Sequence, residues 1–471
     1  MTDLAGPAAT PPSAWSTIRE AIRGSHQDFT EGSIGRAVVL LAIPMVLEMV
    51  MESVFAVTDM FFVSRLGADS VAAVGLTESV LSLVYAIAMG LSVGVTAIVA
   101  RRIGEKNHDA ASRGAAQGIL LGASIALVLG VLGVILAPRL LGVMGASPAV
   151  IATGSGYTRV ILGGDATVVL LFVLNAAFRG AGDPSIAMRV LWIANGINIL
   201  LGPCLIFGVG PFPRLGVTGA AVATTIGRGT GVLLAFSAVV RPGGRLLVRF
   251  RQFIPDRQLM RHLVALGSSA SLQFLVGTAS WIGLTRLLAT FGSEAVAGYT
   301  VALRMVIFAI LPAWGLANAA ATMVGQGLGA GKPDRAERAV WTACRYNLGF
   351  LGLLGVIFLI AAPGIAGLFG HDPVMAHYAV RCLRIIAVGF PLYAFGMVLT
   401  QAFNGAGDTW TPTWLNFVVF WCWEIPLAWV LAKPLGFGSD GAFIAIAVAF
   451  STLAAAAALA FRRGRWKLTT V

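Results

Sequence analysis

Charge is scarce in this chain. Asp, Glu, Lys and Arg make up 11% of 471 residues while hydrophobic types reach 57% and mean hydropathy is +0.85, a balance that excludes ordinary soluble domains. Cysteine and histidine are few, at four and five. Cys204, Cys344, Cys382 and Cys422 lie in or near apolar segments without CxxC or His/Cys spacing, so they read as packing residues rather than metal ligands or disulfides. No phosphate-binding glycine loop, zinc spacing or nucleophile in a plausible context is present, and the two GAGD turns lack the strand and helix of a dinucleotide site. These absences disfavour an ATP-driven pump and a membrane-embedded enzyme or scaffold. They point to no cofactor and no structural metal. The formal charge of +12 sits mostly in short loops, where it reads as membrane topology, not nucleic-acid binding.

What the chain has in abundance is apolar segments of membrane-spanning length. Runs near 38–63, 72–99, 115–137, 156–178, 186–209, 217–240, 262–290, 295–324, 341–362, 380–403, 411–432 and 441–462 predict about twelve transmembrane helices. The polar N-terminus shows no cleavable signal, so the first span is expected to direct its own insertion. Before it, Trp15 to Arg23 reads as a flexible tail in preference to an amphipathic interfacial helix. Lys and Arg cluster after spans two, six, eight and twelve, including Arg101, Arg102, Lys106 and Arg113, then Arg241 to Arg261, then Lys332, Arg335 and Arg338. That bias predicts both termini in the cytoplasm.

Leu41 to Val63 carries three carboxylates where a lipid-facing span should carry none. At about 100° per residue, Glu48, Glu52 and Asp59 fall on one narrow face, which must line a cavity or a protein interior. Pro44 removes a backbone donor near the start of the same helix and invites a bend. For each acid the alternative is hydrogen-bonded packing, and depth ranks Asp59 first, Glu52 second and Glu48 last.

The two halves repeat. LGADSVAAVG at Leu66 to Gly75 realigns with FGSEAVAGYT at Phe291 to Thr300, an offset of roughly 225 residues. The same offset pairs Gly90 with Gly315, Gly104 with Gly329, and FRGAGDP at Phe178 to Pro184 with FNGAGDT at Phe403 to Thr409. Six helices per repeat keep both halves in one orientation, an arrangement that places substrate between two bundles. The expected organisation is an all-α integral membrane protein: an N-terminal tail over 1–37, a first six-helix lobe over 38–240 and a basic connector over 241–261. A second lobe over 262–462 and a tail over 463–471 complete it. The connector's arginines are expected at lipid headgroups. Under the repeat Glu48 meets Gln273, Glu52 meets Gly277 and Asp59 meets Leu284, so the acidic stripe belongs to the first half alone.

These residues resemble the multidrug and toxic compound extrusion (MATE) family over nearly the whole chain after its N-terminal tail. The carriers are Pro44 to Gly67, GLSVGVTAIVARRIGEKN at Gly90 to Asn107, the paired FRGAGDP and FNGAGDT turns, and GLANAAATMVGQGLGAGKPDRAERAV at Gly315 to Val340. The wording of the first span looks closest to the bacterial DinF-like branch. The resemblance implies a V-shaped pair of six-helix lobes that alternate between two openings, in a bacterial inner membrane. It implies export of cationic or amphipathic organic compounds in exchange for protons or sodium ions, and a monomer as the working unit. It matches Asp59 to the family's first-helix Asp, Pro44 to its kink proline, and Asn175 and Asn198 to polar residues around that Asp. The fifth-span carboxylate of many relatives is here Gly202, and spans seven and ten offer Gln273 and Tyr393 instead of acids. A multi-carboxylate sodium site around Asp59 is thereby in doubt, protons are favoured as the coupling ion, and a cation site in the second lobe looks absent.

Other intramembrane polar groups carry weaker expectations. Met49, Asn195, Gln273, Tyr393 and Glu424 are candidate cavity residues, as are apolar surfaces such as Met45, Trp281 and Trp314. Glu78 reads as interfacial, Asp165 as a structural partner of Arg159, and Arg304 as structural. A lipid-linked oligosaccharide flippase of the wider superfamily is the alternative transporter. It would need basic residues in the cavity, whereas Lys and Arg concentrate in loops.

Overall fold

The computed structural model describes residues 13–25, 27–367 and 372–470. Among them there is no strand, and twelve helices are long and apolar enough to cross a membrane. In chain order the helices are α1 (Ala14–Arg23), α2 (Ile34–Ser64), α3 (Ala68–Gly104), α4 (His108–Val143), α5 (Pro148–Gly163), α6 (Asp165–Ala181), α7 (Pro184–Phe207) and α8 (Val217–Val240). The second half adds α9 (Arg257–Leu288), α10 (Ser293–Gly329), α11 (Pro333–Gly367), α12 (Pro373–Ala406), α13 (Trp410–Asn416), a π-helical segment (Phe417–Glu424), α14 (Ile425–Ala432) and α15 (Ser439–Arg462). Two spans are interrupted. The fourth breaks at Gly164 between α5 and α6, and the eleventh passes through the π turn, so each exposes backbone or side chains that a continuous α-helix would not.

Two apolar cores form, and each borrows from the other half. Leu40, Leu41 and Met45 of α2 sit in the core built by α10, α11, α12 and α15. Reciprocally, Leu263 and Leu266 of α9 sit in the core of the first half. Because α2 and α9 are repeat counterparts, the exchange has the two-fold character of the repeat itself. Met45, expected to face a cavity, is instead 1% exposed, because this part of α2 is packed against the second half.

Close backbone approach makes the exchange possible. A Cβ on Gly90 of α3 would lie 2.4 Å from the Gly267 carbonyl oxygen of α9, and one on Gly315 of α10 would lie 2.5 Å from the Met45 carbonyl oxygen of α2. Nearer the helix ends, a Cβ on Gly104 would meet the Gln326 carbonyl oxygen at 2.1 Å, and one on Gly329 would meet that of Arg101 at 2.1 Å. Backbone cannot yield as a flexible side chain can, so glycine is required at these crossings.

The same end of the bundle carries the connector and both terminal segments. Ser13 caps α1 by accepting the Ser16 amide at 3.2 Å, and Arg36 of α2 holds Glu20 of α1 at 2.6 Å. A helix thus replaces the expected tail over 14–23, because the cap and the ion pair fix it against α2. Residues 1–12 of the expected tail lie outside the described residues. Next, residues 27–33 form a strap under both halves. Arg335 of α11 donates to the carbonyls of Phe29 at 3.0 Å, Glu31 at 2.6 Å and Gly32 at 2.8 Å, and Lys332 donates to that of Thr30 at 3.1 Å. Arg245 of the connector donates to the carbonyls of Ser25 at 3.0 Å and Ala181 at 3.2 Å, and lies over the Phe29 ring. Expected at lipid headgroups, Arg245 turns inward because those carbonyls have no helical partner. At the other terminus Trp466 is fully buried, stacked on Phe461, and Lys467 pairs with Glu337 at 2.7 Å.

Two outcomes follow from this end of the molecule. With nitroxides on Arg113→Cys and Arg338→Cys, both exposed in the wild type, and with Cys204 and Cys422 changed to Ser, adding Gly104→Leu is expected to lengthen and broaden the inter-label distance. An unchanged distribution would refute the requirement for glycine. Within the strap, Asp28 is desolvated, yet the Thr30 hydroxyl and amide, at 2.6 and 2.8 Å, hold its carboxyl below the ordinary value of 3.8. Its contribution is present above that ordinary value and is lost only as pH falls through the depressed one. Tryptic cleavage near the strap should therefore be constant from about pH 8 to about pH 5, and faster in Arg335→Ala at every pH in that range.

Candidate functional site

The α2 helix presents two faces beyond its buried first third. Val50, Val54, Val57 and Phe61 are exposed at helical spacing, while Glu48, Glu52, Phe55 and Asp59 turn toward the first half. Each acid meets a different environment. Glu48 is buried, and its Oε1 accepts from the Arg179 guanidinium at 2.7 Å and from Asn175 Nδ2 at 3.4 Å, both on α6. Glu52, half-buried, accepts from Asn195 Nδ2 of α7 at 3.1 Å and lies 3.8 Å from the guanidinium of Arg228 on α8. Asp59, also half-buried, makes no hydrogen bond or ion pair among the described residues. Its charged neighbours are Glu78 and Arg228.

Arg228 is the centre of this group and was not anticipated. It is 8% exposed, and its guanidinium lies 5.7 Å from the ring centroids of both Phe55 and Tyr85. The signal for it was present, since a lone arginine inside TTIGRGTG is costly in hydrocarbon. Arg179, which the sequence presents as part of the FRGAGDP turn motif, stands in the last turn of α6 and reaches back to α2.

The structure divides the residues expected to act together. Asp59, Glu52 and Asn195 gather around Arg228, whereas Glu48 and Asn175 form a separate cluster with Arg179. Asn198, expected beside Asp59, donates to Thr224 Oγ1 of α8 at 2.7 Å. Three residues along a helix rotate a side chain by about 60°, which turns Asn198 toward α8 while Asn195 faces α2. Gly202 leaves room beside it, with nothing nearer to a built Cβ than Asn198 and Phe62 at 4.0 Å. Pro44 is buried within the exchanged segment of α2, one residue before the Met45 carbonyl that meets Gly315. The expected pairing of Asp165 with Arg159 does not form: Arg159 is exposed, while Asp165 is fully buried with neither carboxyl oxygen hydrogen-bonded and with Arg228 as its charged neighbour. Glu78 is exposed, as an interfacial residue would be, and has Arg304 of the second half as a charged neighbour besides Asp59.

Two cavities lie beyond these clusters, and only the first reaches one of their residues, Arg179. One of about 90 Å³ lies between the halves and includes Met49, Met89, Arg179, Trp314 and Asn404 in its lining. A second of about 200 Å³ lies within the second half, lined in part by Gln273, Trp281, Tyr393 and Glu424. Phe274, Trp314 and Gln401 line both. Four of the five weaker candidates thus reach a cavity, and Asn195 does not because Glu52 holds it.

Two bundles that exchange helices across a repeat axis, with intramembrane acids and a cavity at their junction, define a transporter architecture. The chain belongs to the MatE family, whose model matches residues 44–204 and again residues 270–430, once in each half. It is 26% identical over 444 residues to the probable multidrug resistance protein NorM of Thermotoga maritima, covering 93% of this chain and 94% of that one. It is 27% identical over 403 residues to the FAD transporter of Shewanella oneidensis, covering 84% and 87%. Among solved structures, a multidrug resistance MATE family transporter in an outward-facing conformation superposes with a TM-score of 0.87 at 28% identity, covering 94% of this chain and 98% of that one. A MOP superfamily transporter from Pyrococcus furiosus, described as having a binding pocket of reverse polarity, gives 0.87 at 27% identity, with the same 94% and 98%. The expected fold, two parallel six-helix repeats of the MATE type, is the fold found.

The Glu48–Arg179 pair gives a measurable stability consequence. Arg179→Met would leave a carboxylate that is 2% exposed without its cation, and should cost about 3–5 kcal/mol. Glu48→Gln combined with Arg179→Met should recover most of that loss in thermal unfolding in detergent. Equal stability of the single and double variants would show that the pair is not coupled.

Proposed function

We propose that the chain is a secondary efflux transporter that exports cationic or amphipathic organic compounds in exchange for protons, by alternating access between its two lobes. The carrying observation is the state of Asp59, a carboxyl without a hydrogen-bond or ion-pair partner beside an arginine already engaged with Glu52. Such a carboxyl can take up a proton or a cation without first breaking a pair. Its siblings are held, Glu48 by Arg179 and Glu52 by Asn195 and Arg228. Relatives named as multidrug resistance proteins support the choice of substrate.

In this reading the glycine-packed end is cytoplasmic, as the Lys and Arg of its loops favour. The protein works as a monomer in a bacterial inner membrane, without cofactor or catalytic chemistry. Substrate enters between the lobes, and protonation near Asp59 shifts the packing of α2 about Pro44. A proton is preferred to sodium because Gly202 supplies no second carboxylate to complete a metal site.

A flippase for diphosphate-linked sugars gains some support from Arg179 and Arg228, which do lie within the membrane-spanning helices. Both are compensated by carboxylates, which disfavours an anionic headgroup as ligand. Reconstituted vesicles with an imposed proton or sodium gradient, each alone, separate the readings. Ethidium export should follow the proton gradient and be lost in Asp59→Asn with insertion and thermal stability retained. Export by Asp59→Asn at the wild-type rate, or export driven by sodium alone, would overturn the corresponding part of the proposal.

A further inference from the structure

The cavity inside the second half has polar chemistry with no partner among the described residues. Five side chains in its lining each carry a buried polar atom without a hydrogen bond: Glu424 Oε2, Gln273 Oε1, Tyr299 Oη, Thr400 Oγ1 and Asn416 Oδ1. All five are oxygens. Buried polar groups are ordinarily satisfied, and an unpaired carboxylate is the costliest to leave alone. Glu424 is 2% exposed, and no Lys or Arg lines the cavity. The acids of the first half have arginines nearby, and this one does not.

Its position is set by the π segment. A π turn accommodates one residue more than an α turn, so the segment that ends at Glu424 shifts which face of the span the following side chains present. Trp421 fixes the segment by donating to the Val276 carbonyl of α9 at 2.9 Å. The remaining walls are aromatic, with Tyr393 stacked on Phe450 at 3.9 Å and Trp314 packed on Phe274 at 5.6 Å. A carboxylate, a set of acceptor oxygens and ring faces together recognise an ammonium group that brings N–H donors and an apolar body. At about 200 Å³ the space suits a small ligand. The walls shared through Phe274, Trp314 and Gln401 give it a route from the cavity between the lobes.

We infer that this cavity is a binding site for small primary or secondary organic ammonium ions, with Glu424 as counter-ion and Gln273, Thr400 and Asn416 as acceptors. The choice of ligand class rests on the efflux reading, while the site rests on the orphaned oxygens. It is separate from the Asp59 group and needs no cation bound there.

Isothermal titration of the full chain in nanodiscs with 2-phenylethylamine, which is protonated at neutral pH, tests the site. Wild type should bind it and should bind the neutral 2-phenylethanol at least about tenfold more weakly; Glu424→Gln should lose about tenfold or more for the amine. Gly277→Phe is the independent variant, since Gly277 lines the cavity and a Cβ there meets nothing within 4 Å. It should block binding by filling the space while Glu424 stays intact. The inference is overturned if wild type does not bind, if 2-phenylethanol binds as well as the amine, or if either cavity variant binds like wild type. Proton-driven ethidium export by the wild type, measured in parallel, reports on the proposed function independently of this titration.

Discussion

Backbone-to-backbone contact at a few glycines is the constraint on which the lobe arrangement depends. Where Gly90 meets Gly267 and Gly315 meets Met45, helices of opposite halves touch without side chains between them. The contact repeats across the pseudo-two-fold axis, with Gly104 against Gln326 and Gly329 against Arg101. Dispersion between such surfaces is strong only at full contact and is forfeited over a gap of an ångström or less. Partial separation at this end forfeits most of the contact energy, so under the proposed alternation the lobes must part as whole units. Arginine and lysine reinforce the packed condition by holding strap carbonyls from both halves, Arg245 on one side and Arg335 with Lys332 on the other.

On this symmetric frame the chemistry is asymmetric. The first helix of the first half carries Glu48, Glu52 and Asp59; its counterpart α9 carries Gln273, Gly277 and Leu284 in those places. Removing the acids from α9 did not make the second half neutral, because Glu424 supplies one from the eleventh span and the π turn aims it inward. The two halves thus hold acidic groups at different helices with different surroundings, arginine-rich in the first and aromatic in the second.

Much of this was legible in the sequence, and the failures share a cause. Span positions, the parallel repeat and the acidic face of α2 follow from hydropathy, offset and helical period, which are local quantities. Partner identity is not local. Asp165 and Arg159 are six residues apart, which on a helix puts them on different faces, and the break at Gly164 separates them further. Asn195 and Asn198 both looked suitable for the acidic group, and only the direction of α7 relative to α2 and α8 decides between them. Arg228 and Arg179 are lone cations within apolar spans, and only the packing of α6 and α8 near α2 decides which acids they meet. The exchange of α2 and α9 between cores was hidden for a related reason: a repeat shows that two helices are equivalent and not which lobe each one packs against.

Charge balance around Arg228 carries the argument one step beyond the individual contacts. One guanidinium faces Glu52 directly and has Asp59 and Asp165 as further charged neighbours. Asn195 is a neutral donor, and Glu78 has Arg304 on the opposite half as its own neighbour. A single positive charge cannot neutralise three carboxylates in a region of low dielectric, so protons or bound cations must make up the difference. Asp165 is enclosed and far less able to exchange with the cavity, whereas Asp59 is half-buried and unpaired. The deficit is therefore most readily filled and emptied at Asp59. Under the proposed function that exchange is the coupling event, and Arg228 sets its sign: an arriving cation competes with the guanidinium for the same carboxylates, so occupancy at Asp59 and the pairing of Glu52 are linked through one side chain.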